Sequence, residues 1–333
     1  MSFDYAQDDR EKLIEKGEWV CNIRYDPGYR EPNFKDMILC PRALMFKKIE
    51  MKKILVTGAN GQLGSELRQI AVNKSQYEWV FTDYQELDLC DLTHLEGKVA
   101  EINPQIIINC AAHTAVDKAE TEVELSDVLN HQSVAILAKW SQANNCKLVH
   151  VSTDYVFDGN SAVALTETAS TSPINVYGVT KLAGEKACLE QNPNAIIIRT
   201  SWVYSSFGNN FVKTMSRLMQ ERDNLNVVND QIGSPTYAAD LAQAIMTIIE
   251  HKNWQPGIYN FSNEGEISWY EFALAIQEIG GFACEVGGIP ASNYPTPAKR
   301  PAYSLLDKSK IKATFGVVVP HYKESLRKMM ELL

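Results

Sequence analysis

Residues Lys52–Gly64 read KKILVTGANGQLG and carry the clearest structural signal in the chain. The first half is a short apolar run rich in β-branched residues, which predicts a strand buried on both faces. Three glycines follow, and the helical pattern of residues 65–70 comes directly after them. A strand, a glycine turn and a helix form the context in which a Gly-rich loop binds a dinucleotide. A βα turn without a ligand rarely needs three glycines at this spacing, so the stretch predicts a nucleotide cofactor site.

Each glycine of this loop has its own expected role. Gly58 permits the tight turn, Gly61 lets the backbone approach the pyrophosphate, and Gly64 lets the helix pack close to the strand. The helix N-terminus supplies N–H groups and a positive dipole end for phosphate. The predicted cofactor loop consists of Gly58, Asn60, Gly61, Gln62, Leu63 and Gly64.

An acidic residue closes the second predicted strand, Glu78–Asp83. Asp83 lies near the distance from the glycine loop at which a carboxylate binds the adenosine ribose. Such a carboxylate repels a 2′-phosphate and therefore favours NADH, but a single acidic residue does not decide between NADH and NADPH. The alternative is a turn residue at the end of a strand. Asp88 is placed to reach the adenine.

Further apolar strands follow at residues 105–112, 147–153 and 195–204, with a long amphipathic helix predicted between the first two. We interpret His113, before this helix, as a locally hydrogen-bonded histidine rather than a catalytic base. Strands that alternate with helices indicate an α/β fold with a doubly wound parallel Rossmann sheet. Ligands bind beyond the carboxyl ends of such strands. Thr153 lies at one of these ends and is a candidate to bind a substrate oxygen, with Ser152 as the alternative.

Tyr177 and Lys181 lie four residues apart in the stretch NVYGVTK, residues 175–181. On a helix this spacing places the phenol and the ammonium on one face. A nearby ammonium favours the phenolate, so we expect the tyrosine pKa to fall from about 10 towards the working pH. Such a tyrosine can transfer a proton at a carbonyl or alcohol carbon. An exposed helical pair is the alternative, but the glycine loop and Thr153 favour a catalytic dyad.

The composition excludes several classes of protein. The chain has 333 residues, a formal net charge of -9 and 45% hydrophobic residues, as expected of a soluble globular protein. The acidic balance argues against nucleic-acid and membrane partners. No apolar run approaches the roughly 18 residues that span a bilayer, and the N-terminus does not resemble a signal peptide, so the expected compartment is the cytoplasm. Seven cysteines without a Cys-x-x-Cys motif indicate neither a disulfide framework nor a zinc site.

The composition also divides the chain into regions. Residues 1–50 are charged and then broken by prolines. We interpret them as a start-site artefact before a natural start at Met51, with an accessory segment as the alternative. The remaining predicted regions are an NAD(P)-binding Rossmann domain, 51–204 and about 222–255, and a smaller substrate-binding region, about 205–221 and 256–333. In the latter, Arg300 is a candidate to clamp a diphosphate, and a solvated turn is the alternative.

Four phrases together resemble the dTDP-4-dehydrorhamnose reductase family of the extended short-chain dehydrogenase/reductase superfamily. They are GANGQLG at 58–64, AAHTAVDKAE at 111–120, STDYVFDG at 152–159 and RTSWVY at 199–204. The similarity runs from about Met51 to the C-terminus and leaves residues 1–50 unexplained. It implies the reduction of dTDP-4-dehydro-L-rhamnose to dTDP-L-rhamnose by NADPH or NADH, within cell-surface polysaccharide biosynthesis.

The resemblance also implies roles for individual residues. Tyr177 is the implied proton donor to the C4 oxygen, Lys181 lowers its pKa and holds the nicotinamide ribose, and Thr153 polarises the ketone. The implied sugar contacts are Thr153, Asp154, Tyr155 and Trp202, although Trp202 is equally explained as a core residue. The implied cofactor contacts outside the glycine loop are Asp83, Asp88, Leu89, Ala111, Ala112, His113, Thr114, Tyr177 and Lys181. Some relatives bind Mg²⁺ at a homodimer contact, but no metal ligands can be assigned in this sequence.

Two alternatives to this interpretation come from similar proteins. Nucleotide-sugar dehydratases of the superfamily place an Asp-Glu pair after the threonine, because eliminating water needs a separate acid and base. Here Asp154 is followed by Tyr155, which favours a reductase over a dehydratase or epimerase. The second alternative is a non-catalytic, NADP-binding regulatory subunit of the methionine adenosyltransferase type. The intact Thr153, Tyr177 and Lys181 favour catalysis.

Overall fold

A computed structural model describes residues 51–333, and the interpretation given for residues 1–50 lies outside the described residues. The strands are β1 (Lys52–Thr57), β2 (Tyr77–Thr82), β3 (Ile106–Asn109), β4 (Lys147–Thr153), β5 (Ile196–Thr200), β6 (Val203–Tyr204), β7 (Asn224–Val228), β8 (Ile232–Gly233), β9 (Thr236–Tyr237), β10 (Gly257–Asn260), β11 (Ile267–Ser268) and β12 (Glu285–Ile289). The helices are α1 (Gln62–Ala71), α2 (Leu95–Ile102), α3 (Val116–Ala119), α4 (Val123–Asp127), α5 (Ser133–Ala143), α6 (Val176–Gln191), α7 (Phe211–Glu221), α8 (Ala238–Glu250), α9 (Trp269–Gly280), α10 (Ser309–Phe315) and α11 (Tyr322–Met330).

Six strands form one sheet in the order β10-β5-β4-β3-β1-β2, and every neighbouring pair is parallel. Successive side chains of a strand point to opposite faces, so Ile54 and Val56 pack on one face while Leu55 packs on the other. Residues of α1, α8 and α10 cover the first face, and residues of α2, α5 and α6 cover the second. The predicted α/β class with a doubly wound parallel sheet is confirmed.

The strand order reverses between β1 and β3, because β2 lies on one side of β1 and β3 on the other. Ligands of open α/β sheets bind outside the carboxyl ends of the strands at such a switch point. The crevice that this rule selects is bordered by the glycine loop after β1 and by residues 110–114 after β3.

A second hydrophobic cluster lies outside the sheet and is built from α7, α9, α11 and short strands. Val212, Phe272 and Leu326 are fully buried within it. It includes β7, which pairs with β12 rather than with the main sheet, although it falls in the segment of about 222–255 predicted for the Rossmann domain. Among residues 51–333, no helix is long and apolar enough to cross a membrane.

Two predicted elements are broken in the structure. The long helix expected after His113 is divided into α3, α4, a π-helical turn at Val128–Gln132 and α5. The π-helical turn buries Asn130, whose side chain bonds the His113 backbone and Thr180. The single strand expected over 195–204 divides into β5 and β6, because Trp202 between them has a positive φ of 47°.

Candidate active site

The glycine loop has the geometry that its three glycines predict. Gly58 has a φ of +65°, and a Cβ on it would lie 2.8 Å from the backbone of Ala111. A Cβ on Gly64 would lie 2.6 Å from the Ala59 Cα, so α1 could not pack as close to the loop. Gly61 is different, since it is exposed and, apart from its chain neighbours, only the Gly58 carbonyl oxygen among residues 51–333 lies near its Cβ position, at 3.2 Å. Space next to Gly61 is therefore left for a ligand.

The first turn of α1 fits a diphosphate. The first N–H groups of an α-helix have no intrahelical partner, and no side chain caps this end because Gly61 occupies the N-cap. The Leu63 side chain packs in the core, and the Gln62 amide bonds the Val203 carbonyl and the Asn210 side chain. These two residues therefore present backbone groups, rather than their side chains, at the helix end.

Substitutions in the loop should separate cofactor binding from folding. Gly64→Ala should lower the free energy of unfolding by about 1–3 kcal/mol, the usual cost of overpacking. Gly61→Ala should stay folded and bind reduced nicotinamide cofactor roughly 5- to 150-fold more weakly, because the same overpacking cost falls on the ligand. Denaturant unfolding and cofactor titration measure the two effects. Unchanged cofactor affinity in Gly61→Ala would contradict the role given to that glycine.

Asp83 is held against the glycine loop. Its carboxylate accepts hydrogen bonds from the backbone N–H groups of Asn60 and Tyr84, each at 2.8 Å. Asp88 accepts one from the Cys90 backbone at 2.8 Å. Leu89 is buried in the core, so only its backbone can face a cofactor. The cofactor contacts of these residues stay predictions.

The loop after β3 is fixed by hydrogen bonds rather than left open. Both ring nitrogens of His113 are paired, Nε2 with Glu122 at 2.8 Å and Nδ1 with Ser126 at 2.9 Å. The interpretation of His113 as a locally bonded histidine is therefore confirmed. Ala111 and Ala112 are half-buried, and Thr114 is exposed.

The helix that carries Tyr177 and Lys181 is anchored at its N-terminus. Asn175 is the N-cap, and its side chain accepts a hydrogen bond from the Gly178 N–H at 2.7 Å and donates one to the Lys299 carbonyl at 2.7 Å. The Val176 N–H donates to Glu120 at 2.9 Å. A Cβ on Gly178 would overlap the Tyr155 carbonyl, so a glycine is required for the helix to approach the end of β4.

Four side chains predicted for catalysis and sugar binding come together at the end of β4. The Thr153 hydroxyl lies beside the Tyr177 phenol and also donates to the Asp154 carboxylate at 3.1 Å. The Tyr155 ring packs edge-on against Tyr177, with ring centroids 5.5 Å apart. Asp154 is buried beside Ser304, and among residues 51–333 its second oxygen has no hydrogen-bond partner. Burial raises the pKa of Asp154 to about 6.

The expected lowering of the tyrosine pKa by Lys181 is wrong for this structure. Burial raises the pKa of Tyr177 to about 12, and the Thr153 side chain only partly opposes this. The Lys181 Nζ donates instead to the Val151 carbonyl at 2.7 Å. Burial lowers the pKa of Lys181 to about 8, although Glu185 acts to raise it. Helical spacing placed both groups on one face, but it did not reveal that desolvation dominates both pKa values.

A buried ion pair fixes the same helix to the sheet. Arg199 on β5 binds Glu185 on α6 through two parallel hydrogen bonds of 2.9 and 2.6 Å, with both side chains almost fully buried. Bidentate pairs of this kind define geometry as well as energy. Lys181 lies one turn before Glu185, so its position relative to the sheet is constrained.

The two remaining predicted substrate contacts have partners within the protein. Trp202 is half-buried and stacks on Trp269, with ring centroids 3.8 Å apart. The Arg300 guanidinium binds Asp117 on two arms, at 3.0 and 2.8 Å, and burial of this pair is partial. The Asp117 carboxylate binds the two guanidinium nitrogens that were predicted to bind a diphosphate, so the diphosphate contact of Arg300 stays a prediction.

Several residues at the site were not found from the sequence. They are Glu120, Asn130, Asn175, Trp269 and Ser304. The role of Asn175 could have been predicted from the sequence, because asparagine directly before a helix is a favoured N-cap. The others reach the site from distant segments. No group of three or more His, Cys, Asp or Glu side chains in residues 51–333 is arranged to hold a metal ion.

Comparison with known proteins agrees with the geometry. The family model described as the RmlD substrate binding domain matches residues 51–333. A dTDP-4-dehydrorhamnose reductase of Aggregatibacter actinomycetemcomitans is 42% identical over 287 residues, covering 83% of this chain and 98% of the relative.

Two solved structures are similar over nearly their whole length. The dTDP-4-dehydrorhamnose reductase of Clostridium acetobutylicum gives a TM-score of 0.81 at 40% identity, covering 84% of this chain and 99% of the other. The Bacillus anthracis dTDP-4-dehydrorhamnose reductase, solved in complex with NADP, gives 0.80 at 40% identity, covering 85% and 99%. With the glycine loop, Thr153 and the Tyr177–Lys181 helix in place, this chain belongs to the dTDP-4-dehydrorhamnose reductase family.

Proposed function

We propose that this protein reduces dTDP-4-dehydro-L-rhamnose to dTDP-L-rhamnose with a reduced nicotinamide cofactor. The observation that carries the proposal is the buried Tyr177 phenol beside Thr153 at the carboxyl end of β4. A phenol with a pKa of about 12 keeps its proton at neutral pH and can deliver it to an oxygen that becomes an alkoxide. The membership of the chain in the reductase family supports the same reaction.

The cofactor supplies the hydride, and the protein's own residues bind, orient and deliver the proton. The backbone of the α1 N-terminus and Gly61 would hold the diphosphate. Lys181, charged at neutral pH, would bind the nicotinamide ribose and stabilise negative charge as Tyr177 gives up its proton. Thr153 orients the phenol, and it polarises the ketone when its hydroxyl turns from Asp154 to the substrate. Fixing these groups on β4 and α6 provides the alignment that the reaction needs.

The cofactor is proposed to be NADH or NADPH, with the choice decided at Asp83. A carboxylate beside the ribose favours NADH on charge alone, whereas the Bacillus anthracis relative was solved with NADP. Asp83 is held by backbone N–H groups, which offset part of its charge. Both NADH and NADPH are therefore proposed as cofactors.

We also propose which parts of the chain bind the cofactor and which bind the sugar nucleotide. Residues 51–204 with α8 are assigned to the cofactor, and residues 205–221 and 256–333 to the sugar nucleotide, to which we add β7. The separate hydrophobic clusters of the sheet and of the C-terminal elements support this division. The five cysteines in residues 51–333 are free, which is typical of a reducing compartment such as the cytoplasm.

Cofactor affinity should depend on the Lys181 proton. The pKa of Lys181 is about 8, so the residue is charged below this pH and neutral above it. Affinity for reduced cofactor should therefore fall as the pH rises through 8, while Tyr177 does not titrate in this range. Fluorescence titration of cofactor at several pH values tests this. Lys181→Met should flatten the profile and Tyr177→Phe should preserve it, and a step that survives in Lys181→Met would assign the titration to another group.

The activity itself is tested by following the absorbance of NADPH and then of NADH with enzymatically prepared dTDP-4-dehydro-L-rhamnose. We expect oxidation that depends on the sugar nucleotide, and the two rates rank the cofactors. Bound cofactor without any oxidation would contradict the reductase and favour the regulatory alternative.

A further inference from the structure

Trp202 has a backbone conformation that its own side chain disfavours. Its φ of 47° lies in the left-handed region, which bulky residues rarely adopt and which persists only where the surroundings enforce it. The neighbouring segment supplies part of that constraint. Ser201 donates from its hydroxyl to the Ser234 carbonyl at 2.6 Å, and the Trp202 carbonyl accepts from the Thr236 N–H at 3.2 Å.

The Trp202 ring is held as closely as its backbone. The indole of Trp269 stacks on it with centroids 3.8 Å apart and planes 14° from parallel. A Cβ on Gly233 would lie 2.9 Å from the Trp202 ring, so only glycine leaves room for the ring there. Strand pairing connects Trp269 and Gly233, the two residues that hold the ring. Ile267, two residues before Trp269, lies opposite Gly233 in the β8–β11 ladder.

Trp269 is itself fixed by the start of a helix. It is the first residue of α9, directly after Ser268, which forms a capping box with Glu271. A capping box satisfies two backbone donors reciprocally and defines the helix end. The Phe211 ring packs against Trp269 with centroids 4.6 Å apart. The stack is therefore built on a rigid element, in a segment more than sixty residues from Trp202 along the chain.

The stack is connected to the reacting groups. The Ser304 hydroxyl lies 3.1 Å from the Cβ position of Gly233 and beside the Asp154 carboxyl. Asp154 in turn accepts a hydrogen bond from Thr153. Trp202 is only partly buried, so part of its surface stays accessible to a ligand.

We propose that Trp269 is a positioning residue for the sugar nucleotide. The indole of Trp269 stacks on Trp202 and holds it in its left-handed conformation. This aligns the Trp202 ring with the sugar beside Asp154 and Thr153. This proposal rests on the proposed function, since it takes the sugar of a dTDP-sugar as the ligand. Trp269 acts through Trp202 and through neither the cofactor loop nor the proton donor.

The test compares Trp269→Leu, Trp269→Phe and, as a matched control, Trp254→Leu. Trp254 donates to the Asn194 carbonyl and packs against the cluster of the main sheet, whereas Trp202 and Trp269 pack against the second cluster. Four quantities are measured: the Kd of dTDP-L-rhamnose by calorimetry, the KM of the 4-dehydro sugar nucleotide, the Kd of the reduced cofactor, and the far-UV circular dichroism. Stacked indoles whose transition dipoles are rotated relative to each other give an exciton couplet in that spectrum, so a couplet in the wild-type protein reports the stack without any turnover.

Trp269→Leu should remove the couplet and raise both the Kd of dTDP-L-rhamnose and the KM by about threefold to tenfold, the range expected from losing one aromatic pair. Its cofactor Kd should stay unchanged. Trp269→Phe should also remove the couplet, but it should restore most of the sugar-nucleotide affinity because a ring still packs on Trp202. Trp254→Leu should keep the couplet and all three constants.

Other outcomes overturn the proposal. If Trp269→Leu loses the couplet and still binds dTDP-L-rhamnose normally, Trp269 has no positioning role. If it loses cofactor and sugar-nucleotide affinity together with its unfolding free energy, the stack only maintains the fold. A wild-type protein that binds dTDP-L-rhamnose without turning over the 4-dehydro sugar would instead contradict the proposed function, and the binding measurements would still decide on Trp269.

Discussion

Tyr177→Phe should lower turnover by about 10²–10⁴-fold, the usual contribution of a positioned general acid. The phenol is buried, with 9% of its surface exposed, and burial raises its pKa to about 12, so it holds the proton that the sugar oxygen needs. Phenylalanine retains the ring and its edge-on packing against Tyr155. The fold and the cofactor affinity should therefore be retained. Steady-state kinetics and cofactor titration of the same preparation measure both.

Tyr259→Phe is the matched control for this substitution. Tyr259 donates its hydroxyl to the Gln255 carbonyl at the β10 edge of the sheet, away from the carboxyl end of β4. Loss of the Tyr259 hydroxyl should leave turnover unchanged. If Tyr177→Phe keeps most of its turnover while Tyr259→Phe behaves as the wild type, another group donates the proton and the role given to Tyr177 is wrong.

Lys181→Met should weaken cofactor binding and turnover together. Hydrogen bonds to charged groups contribute about 1.5–3 kcal/mol, so losing the ammonium should raise the cofactor Kd by about 10- to 150-fold. Lys181 is only 1% exposed, and methionine fills a similar volume without the cost of burying a charge. Glu185 keeps its partner Arg199 in this variant, so no buried carboxylate is left unpaired.

Lys186→Met provides the comparison on the same helix. Lys186 is exposed, and its replacement should change neither the cofactor Kd nor the turnover. Calorimetric titration of cofactor against both variants separates the effect of the site from that of the helix. Equal cofactor affinity in Lys181→Met and the wild type would mean that the lysine does not hold the nicotinamide ribose.

The features that could be predicted from the sequence are those encoded in short contiguous stretches. The glycine loop follows from residues 58–64 because turn, close approach and helix start are all local requirements. The shared face of Tyr177 and Lys181 follows from helical spacing alone. The parallel sheet follows from buried apolar strands that alternate with helices. The strand order, which places β1 and β3 at the switch point, comes from the structure.

Other features depend on groups that only the fold brings together. The pKa direction of Tyr177 was predicted wrongly, because desolvation depends on what surrounds the phenol rather than on its neighbour four residues away. Ser304 and Trp269 approach the site from remote segments, and no spacing in the sequence links them to Asp154 or Trp202. The break in the helix after His113 has the same origin, since Asn130 bonds groups on two other elements.

In the proposed reaction, hydride passes from the nicotinamide to C4 of a dTDP-linked 4-dehydro sugar while Tyr177 supplies the proton. The most direct test uses cofactor that carries deuterium at the transferable position and analyses the sugar nucleotide product by mass spectrometry and NMR. We expect one deuterium at C4 with wild-type protein and a strongly reduced yield of the same labelled product with Tyr177→Phe. Oxidised cofactor without deuterium in the sugar, or full labelling by Tyr177→Phe at the wild-type rate, would contradict it.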